Sequence, residues 1–347
     1  MRRGRLGNSY RMTSPLMKTR LGRVAVAGLA VTLAGSLAAC GSHKGTPGQS
    51  TSGGAALQAV WPMTGLPQTS QPNHPVMIVK IPNTPEAVPQ MGLNQADLVS
   101  EELVEGGITR LAVFFDTFMP STVGPVRSMR ASDIGLVKPT HGVLVSSGAA
   151  GQTIGVLNRA HQPFIQEDES RGFFRVSDRV APYNLMDRLS QTVTYFLKHA
   201  IRPTPYFDFS AATTKLTGVK ATRIAVHFSG FRTTRFSYTG GHYVNTNSYA
   251  GRQQFLADTV LVVRVREGNA GYLDPAGNPV PESILAGTGS MVMFHNGVAV
   301  AGTWSKKGNS TTFVFRTAKG ATLEVPAGHI YLELCPVNAA GGSLSYS

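Results

Sequence analysis

The sequence predicts an α+β or α/β protein, with a mixed α/β N-terminal domain followed by a mostly antiparallel β C-terminal domain. Strand and helix patterns alternate up to about residue 205, only strand patterns follow, and a proline-rich segment separates the two parts. Strands that alternate with helices indicate a sheet covered by helices, whereas strands joined by glycine turns are typical of antiparallel sheets. We therefore expect domains over 61–205 and 206–336 and a tail over 337–347.

Residues 1–39 differ in composition from the rest of the chain. They contain seven Arg and Lys residues, no acidic residue, and an apolar stretch of mostly small side chains over 24–37. A basic flank before a short apolar stretch is typical of an export signal, since a membrane span requires roughly 20 residues. Met17 opens a compact basic region of its own, so the start of translation stays open between Met1 and Met17.

The signal ends in LAACG (37–41), which resembles the lipobox of bacterial lipoproteins. Lipid attachment requires a thiol at the new N-terminus and small side chains before it, and the alternative is an ordinary secretory signal with an incidental cysteine. We predict that Cys40 carries the lipid, with palmitate among its acyl chains, and anchors the protein to the extracytoplasmic face of the cell membrane. Residues 40–60, rich in Gly, Ser and Thr, then form a flexible tether.

Loss of the signal changes the electrostatics of the chain. The net charge of +13 falls by seven to +6 for residues 40–347, and no run of Lys and Arg remains there. We therefore expect no nucleic-acid partner, whereas a modest positive charge suits anionic lipid head groups and cell-wall polymers. Cys335 has no second cysteine for an internal disulfide, and its alternating HIYLELC pattern predicts a small core residue.

In the N-terminal part, VMIVKI (76–81) is typical of a buried strand, and LVSEELVE-GG-ITRLAVFF (98–115) of a hairpin. Further on we predict a helix over 130–138, a strand over 142–147, a second helix opened by GAAGQTIGVLNRA, and a longer helix over 185–201 with Asn184 as its N-cap. A two-residue turn in the hairpin would place Leu103 opposite Arg110. Glu101 and Glu105 would then share one face, with Arg110 diagonally between them.

In the C-terminal part, the proline-containing segment RPTPYFDFS (202–210) is typical of an inter-domain linker. We predict strands over 222–228, 259–267, 290–304, 311–325 and 329–335. Asn296-Gly297 and Lys319-Gly320 fit the turns of two hairpins, and the last residues look frayed.

The strongest candidate site is a group of charged residues in the N-terminal part: Glu101, Glu102, Glu105, Arg110, Arg127, Arg130 and Asp133. Arg127 and Arg130 lie three residues apart, so they would share a face of a helix, and guanidinium groups bind carboxylate, phosphate or sulfate through paired hydrogen bonds. The group therefore fits either an anion-binding site or an internal network of ion pairs. A pair of glycosidase carboxylates is disfavoured, because Arg110 would keep both Glu101 and Glu105 ionised.

A second candidate is the strand-to-helix turn at Ser147, where backbone N–H groups could hold an anion, although a plain tight turn also fits. The GxxxxGK[ST] and GxGxxG spacings are absent, so we expect no nucleotide cofactor. The nine histidines show no HxxxH or HExxH spacing, so we expect no metal site.

Two stretches, NQADLVSEELVEGGITRLAVFF and VGPVRSMRASD, resemble the N-terminal domain of the YerB-like bacterial lipoproteins, domain of unknown function family 3048. GTGSMVMFHNGVAVAGTWSK and PAGHIYLEL are similar to the C-terminal domain of that family. The resemblance covers nearly everything from Trp61 to Pro336. It implies an exported lipoprotein of two domains and no established reaction.

The sequence thus favours a binding or scaffold role at the cell envelope, in which Arg127, Arg130 and Glu105 engage an anionic wall polymer or another envelope protein. The alternative is an envelope hydrolase or transferase, with Glu101 or Glu105 as base and the two arginines holding the substrate. A third interpretation is a purely structural ion-pair network. Burial distinguishes them, because catalysis requires these residues at the floor of an open cleft.

Overall fold

The computed structural model describes residues 59–337 and 341–347. The export signal, the lipidation site at Cys40 and the tether up to residue 58 lie outside the described residues. Within the described ranges, no helix is long and apolar enough to cross a membrane.

Strands are the main elements of the fold, and helices are few and short. The first part of the chain contains β1 (Met77–Asn83), β2 (Leu98–Leu103), β3 (Thr109–Phe115), α1 (Asp133–Val137), β4 (Val143–Ser146), α2 (Gly151–Arg159), β5 (Phe164–Gln166), β6 (Phe173–Arg175), β7 (Leu185–Asp187) and α3 (Leu189–Thr192). The second part contains β8 (Phe209–Ser210), β9 (Val219–Lys220), β10 (Arg223–His227), β11 (Thr233–Thr239), β12 (His242–Asn245), β13 (Leu256–Ala257), β14 (Thr259–Leu273), β15 (Pro279–Ile284), β16 (Gly287–His295), β17 (Val298–Lys306), β18 (Val314–Thr317), β19 (Val325–Pro326), β20 (Ile330–Pro336) and β21 (Ser343–Tyr346). The predicted mixture of strands and helices is present, with a larger share of strand than expected.

The main sheet has the strand order β18-β17-β16-β14-β20-β2-β3-β1-β4-β5, while β15 and β9 pair at its margins. Strand β20 lies between β14 and β2 and runs parallel to both. Strands from both parts of the chain therefore share one sheet. A second sheet has the order β13-β12-β11-β10-β21.

Both faces of the main sheet are covered, because every residue of β1, β2 and β3 is buried. The second sheet packs on one face, where the rings of Phe236 and Tyr331 lie 5.0 Å apart. Helices α1 and α2 pack on the other face, where Ile134 and Leu157 join Phe114 in a second core, whereas Leu189 of α3 belongs to the first core. The result is a layered structure with a core on each side of the sheet.

Several local predictions are confirmed. The strand over 142–147 is β4, the second predicted helix is α2, and Asn296-Gly297 connects β16 to β17. Cys335 is buried in the core, and burial raises the pKa of its thiol to about 12.

The long helix predicted over 185–201 is wrong. The segment begins as β7, which pairs with β6, then forms the single turn α3 and a 3₁₀ helix over Val193–His199. Leu185 is extended because its carbonyl accepts the N–H of Val126 at 2.7 Å. The β-branched residues that follow also weaken the preference for an α-helix.

Two other expectations differ from the structure. Tyr206 and Phe207, in the segment read as a linker, are buried, and the ring of Phe207 stacks on Phe315 at 5.7 Å. The chain end is not frayed, because β21 pairs with β10 over Ser343–Tyr346. Aromatic side chains in the first case and backbone pairing in the second attach these segments to the body of the protein.

Candidate functional site

The register of β2 against β3 differs by one residue from the prediction. Glu102, rather than Leu103, lies opposite Arg110, because the connection is a three-residue turn over Glu105–Gly107. Since side chains alternate between the faces of a strand, this change places Glu101 on the opposite face from Arg110. The predicted pair of carboxylates around Arg110 is therefore wrong, and the glutamates belong to separate groups.

Glu101 is completely buried and accepts hydrogen bonds from five side chains. The donors are Thr109 Oγ1 at 2.6 Å, Asn83 Nδ2 at 2.8 Å, Thr234 Oγ1 at 2.9 Å, Arg232 Nε at 3.1 Å and Tyr331 O–H at 3.3 Å. Arg232 and Thr234 belong to the second sheet and the turn before it, so the contacts join the two sheets. Glu101 is thus paired and closed off rather than at the floor of a cleft.

Glu333 belongs to the same buried group and was missed from the sequence. It lies opposite Glu101 on β20 and is completely buried. Burial, followed by the charge of Glu101, raises the pKa of Glu333 well above 4.5, which favours the protonated form of its carboxyl. A charged residue inside an alternating strand carries no signal that distinguishes a buried position from an exposed one. We call Glu101, Glu333, Arg232 and the side chains bonded to Glu101 the buried glutamate network.

Glu102 faces the other core, in an ion-pair group with Lys80 and Asp133. Lys80 Nζ lies 2.7 Å from Glu102 Oε1 and 2.6 Å from Asp133 Oδ1, and all three side chains are buried. Asp133 also accepts the backbone N–H of Arg130 at 2.6 Å, so it connects β1 to the start of α1. Asp133, predicted as a ligand-binding residue, thus has internal partners, and Lys80 was missed because its strand is otherwise apolar.

Glu105 is at the centre of a third group, which contains the predicted arginines. Arg130 donates to both of its oxygens, with Nε 2.9 Å from Oε2, and Arg110 Nη2 lies 3.3 Å from Oε1. Burial alone would raise the pKa of Glu105, but the hydrogen bonds from Arg130 and the charges of Arg110 and Arg130 lower it to about 2. We call Arg110, Arg127 and Arg130, together with Glu105, the arginine cluster.

Arg127 differs from the other two arginines because no carboxylate of the described residues lies within ion-pair distance of it. Its guanidinium lies 5.3 Å from the centre of the Tyr183 ring, and its Nε has no hydrogen-bond partner in the described ranges. The side chain is half-buried, and burial lowers the pKa of Arg127. Arg110 and Arg130 therefore share one carboxylate, and Arg127 adds a third positive charge, which leaves the cluster with excess positive charge.

The arginine cluster lies at the carboxyl edge of the parallel strands β1, β4 and β5. The backbone N–H of Arg127 donates to the carbonyl of Lys80 at 2.8 Å, and the carbonyl of Arg127 accepts the N–H of Ser147 at 3.1 Å. Ligands of open α/β sheets bind outside this edge. The N–H of Ser147 is used internally, so the predicted anion contact through this group does not form in this arrangement.

Helix α2 begins at the same edge without a side-chain cap from Ala150. In its first turn, Thr153 Oγ1 lies 2.7 Å from the hydroxyl of Tyr272, which belongs to the long hairpin of β14 and β15. The same hairpin meets the turn before α1, where the N–H of Ser283 donates to Ser132 Oγ at 2.9 Å. The second part of the chain therefore forms one wall of the site.

Glu267 on β14 is a further acidic residue near the cluster that the sequence did not reveal. Ser283 Oγ donates to its carboxyl at 2.9 Å. Burial, with a smaller contribution from Glu102, raises the pKa of Glu267 to about 8. Within the described part of the chain, no group of three or more His, Cys, Asp or Glu side chains could hold a metal ion.

Comparisons with known proteins agree with this architecture. A Bacillus subtilis (strain 168) protein named "Putative lipoprotein YerB" is 44% identical over 89 residues, which are 25% of this chain and 27% of that protein. The match thus spans about a quarter of the relative. The crystal structure of YerB protein from Bacillus subtilis has a TM-score of 0.67 at 22% identity, over 84% of this chain and 100% of that one. At this identity the likeness concerns the fold alone.

Matches to the two domains of one sequence family complete the comparison. Residues 63–202 match "Protein of unknown function (DUF3048) N-terminal domain", and residues 224–332 match the C-terminal domain of the same family. These matches cover most of the described chain and confirm the resemblance seen in the sequence. The chain belongs to the DUF3048 family, whose function is unknown.

Proposed function

We propose that this protein is an extracytoplasmic lipoprotein, anchored to the cell membrane through a lipid on Cys40, that binds an anionic cell-wall polymer at the arginine cluster. The lipoprotein name of the Bacillus subtilis relative supports the anchor, as does the lipobox in the sequence. A lipid anchor would keep the binding site close to the wall, so that weak contacts to a repeating polymer add up.

The proposal of an anionic ligand is supported by the surroundings of Arg127. Its guanidinium is held in place by the Tyr183 ring, lies at the carboxyl edge, and has no carboxylate partner among the described residues. A guanidinium that is fixed and unpaired binds phosphate or carboxylate at a small entropic cost, because its orientation is already set. The uncapped start of α2 adds backbone N–H groups and a favourable dipole at the same edge.

The enzymatic alternative receives less support from the geometry. Glu101 is sealed inside the buried glutamate network, and the pKa of Glu105 is lowered to about 2. A general base works best when its pKa lies near the working pH, so Glu105 would be a weak one. The arrangement thus favours binding over catalysis.

The binding proposal is tested by co-sedimentation of the full chain, purified in a neutral detergent, with cell-wall sacculi over a salt series. We expect salt-sensitive binding by the wild type and a loss of about tenfold in affinity in Arg127→Gln, equivalent to roughly 1.4 kcal/mol. The matched control is Arg316→Gln, which removes an exposed arginine of the C-terminal part.

Three outcomes would contradict parts of this proposal. Equal losses in Arg127→Gln and Arg316→Gln would indicate unspecific charge attraction. Absence of binding by folded wild type would exclude the polymer and favour a protein partner. The anchor is tested separately: a labelled fatty acid supplied to growing cells should be incorporated into the wild type and not into Cys40→Ala, and equal labelling of the two would contradict lipidation at Cys40.

A further inference from the structure

A second group of ionisable side chains lies at the start of β14, away from the residues of the arginine cluster in sequence. The carboxylate of Asp258 is contacted by two imidazoles. His242 Nδ1 lies 2.9 Å from Asp258 Oδ1, and His329 Nδ1 lies 3.4 Å from Asp258 Oδ2. Both Nδ1 atoms thus face one carboxylate, and that of His242 lies within ion-pair distance of it without forming a hydrogen bond. The Nε2 atoms of both rings are left for other partners.

The backbone holds this arrangement in place. The N–H of His329 donates to Asp258 Oδ2 at 2.7 Å, and the N–H of Asp258 donates to the carbonyl of His329 at 2.9 Å. Gly328 has a φ of +151°, and a Cβ on it would come within 2.5 Å of Asp258 Oδ2. The carboxylate can therefore occupy this position only beside a glycine.

The two histidines line a cavity of about 550 Å³. Arg252 and Gln254 contribute polar groups from the segment before β13, and Asn94 contributes from the first part of the chain. We call this cavity the histidine pocket; it contains side-chain donors from both parts of the chain.

The charge of the histidine pocket depends on its two imidazoles. With both neutral, Arg252 balances Asp258; with both protonated, the pocket has two more positive than negative charges. The hydrogen bond to Asp258 raises the pKa of His329, and the negative charge of Asp97 raises it further. Asp97 is buried and accepts the N–H groups of neighbouring residues, so it does not reach the ligand side of the pocket.

We infer that the histidine pocket binds an oxyanion (a carboxylate, phosphate or sulfate group) through the Nε2–H groups of His242 and His329 and the guanidinium of Arg252, when the imidazoles are protonated. Asp258 orients the ring of His329 from the opposite side and lies within ion-pair distance of the ring of His242. This site is separate from the arginine cluster and does not rest on the function proposed for it.

The test uses sulfate, whose charge does not change between pH 5 and 8, so that any pH dependence comes from the protein. Histidine side-chain NMR signals of the full chain are followed with increasing sulfate at constant ionic strength. We expect binding about tenfold or more tighter at pH 5.5 than at pH 8, because the ligand selects the protonated form. Sulfate should also shift the ring signals of His242 and His329 and raise the pKa of His329 further.

Three variants locate the effect. His242→Asn and His329→Asn should each remove most of the pH dependence, while His141→Asn, at an exposed position with φ of 51° that Asn tolerates, should leave it unchanged. Sulfate affinity that is independent of pH, or ring signals of His242 and His329 that sulfate does not move in the wild type, would overturn the inference even if a variant fails to fold.

Discussion

Arg232 and Arg127 each lie over a tyrosine ring, but Arg232 is buried and Arg127 half-buried, and their electrostatic surroundings differ. Each guanidinium lies 5.3 Å from the centre of a tyrosine ring, Tyr249 for Arg232 and Tyr183 for Arg127. Arg232 also contacts Glu101 at 3.1 Å, whereas Arg127 has no carboxylate partner within the described ranges. An aromatic ring thus positions both side chains, and the presence or absence of a carboxylate separates a stabilising arginine from one that is left for a ligand.

The difference extends to the groups around them. In the buried glutamate network, polar side chains from both sheets converge on Glu101, and no member reaches solvent to a significant extent. In the arginine cluster, Glu105 and Arg130 keep exposed fractions of 14% and 10% at the edge of the sheet. We therefore expect substitutions in the network to affect stability most, and substitutions at Arg127 to affect binding most.

The largest expected effect is that of Glu101→Ala. It leaves Arg232 buried without a counter-charge and removes an acceptor from four other donors, so we expect a loss of about 3–5 kcal/mol in the free energy of unfolding. Urea denaturation followed by circular dichroism measures it. The control is Glu324→Ala, which removes an exposed glutamate. A loss under about 1 kcal/mol would show that the buried glutamate network contributes little to stability. It would contradict the contrast between this network and the arginine cluster.

A smaller loss is expected for Arg130→Gln. It removes the paired hydrogen bonds to Glu105, although Arg110 remains as a partner, so we expect a loss of about 1.5–3 kcal/mol. The control is Arg175→Gln, because Arg175 makes the same paired contact with Glu167 in an exposed position and should lose only about 0–1 kcal/mol. Equal losses in the two variants would mean that burial does not strengthen the pair at Glu105.

The local elements of the fold were predictable where a short pattern determines them. The Asn296-Gly297 turn and the apolar strand β4 follow from residues that are adjacent in sequence. The placement of β20 between β14 and β2 was not predictable, because pairing between strands more than 200 residues apart leaves no local pattern. The same holds for the helix predicted over 185–201, whose first residues are extended by contacts with distant segments.

The site was predictable in composition but not in arrangement. Glu105, Arg110, Arg127 and Arg130 do come together, as their density in a weakly charged chain indicated. The partners of Glu101 were not predictable, since the turn length changed its face, and Arg232 is more than 100 residues away. Charges inside buried strands show no periodicity of their own, which is why Lys80 and Glu333 were missed.

Glu267 should make the free energy of unfolding depend on pH. Burial raises its pKa to about 8 from 4.5, so the folded protein keeps a proton that the unfolded chain releases above about pH 4.5. The contribution of this group to stability is therefore present at low pH and is lost as the pH rises towards 8. In Glu267→Gln, the decline of unfolding free energy between pH 4.5 and 8 should be shallower than in the wild type. An unchanged slope, matching that of Glu324→Gln, would contradict the raised pKa.

The smallest effect on stability is expected for Arg127→Gln, and this result decides the comparison. Its guanidinium has no ion pair to lose, and its removal relieves repulsion from Arg130, so the free energy of unfolding should change by less than about 0.5 kcal/mol. Arg232→Gln, which loses its contact with Glu101 in addition to the stacking on a tyrosine ring, should cost about 3–5 kcal/mol under the same conditions. If the two variants lose similar stability in urea denaturation, Arg127 is part of the scaffold, and its lack of a carboxylate does not mark a binding site. If only Arg232→Gln loses stability, Arg127 is maintained for a purpose other than folding, because a fixed, half-buried charge without a partner does not stabilise the protein.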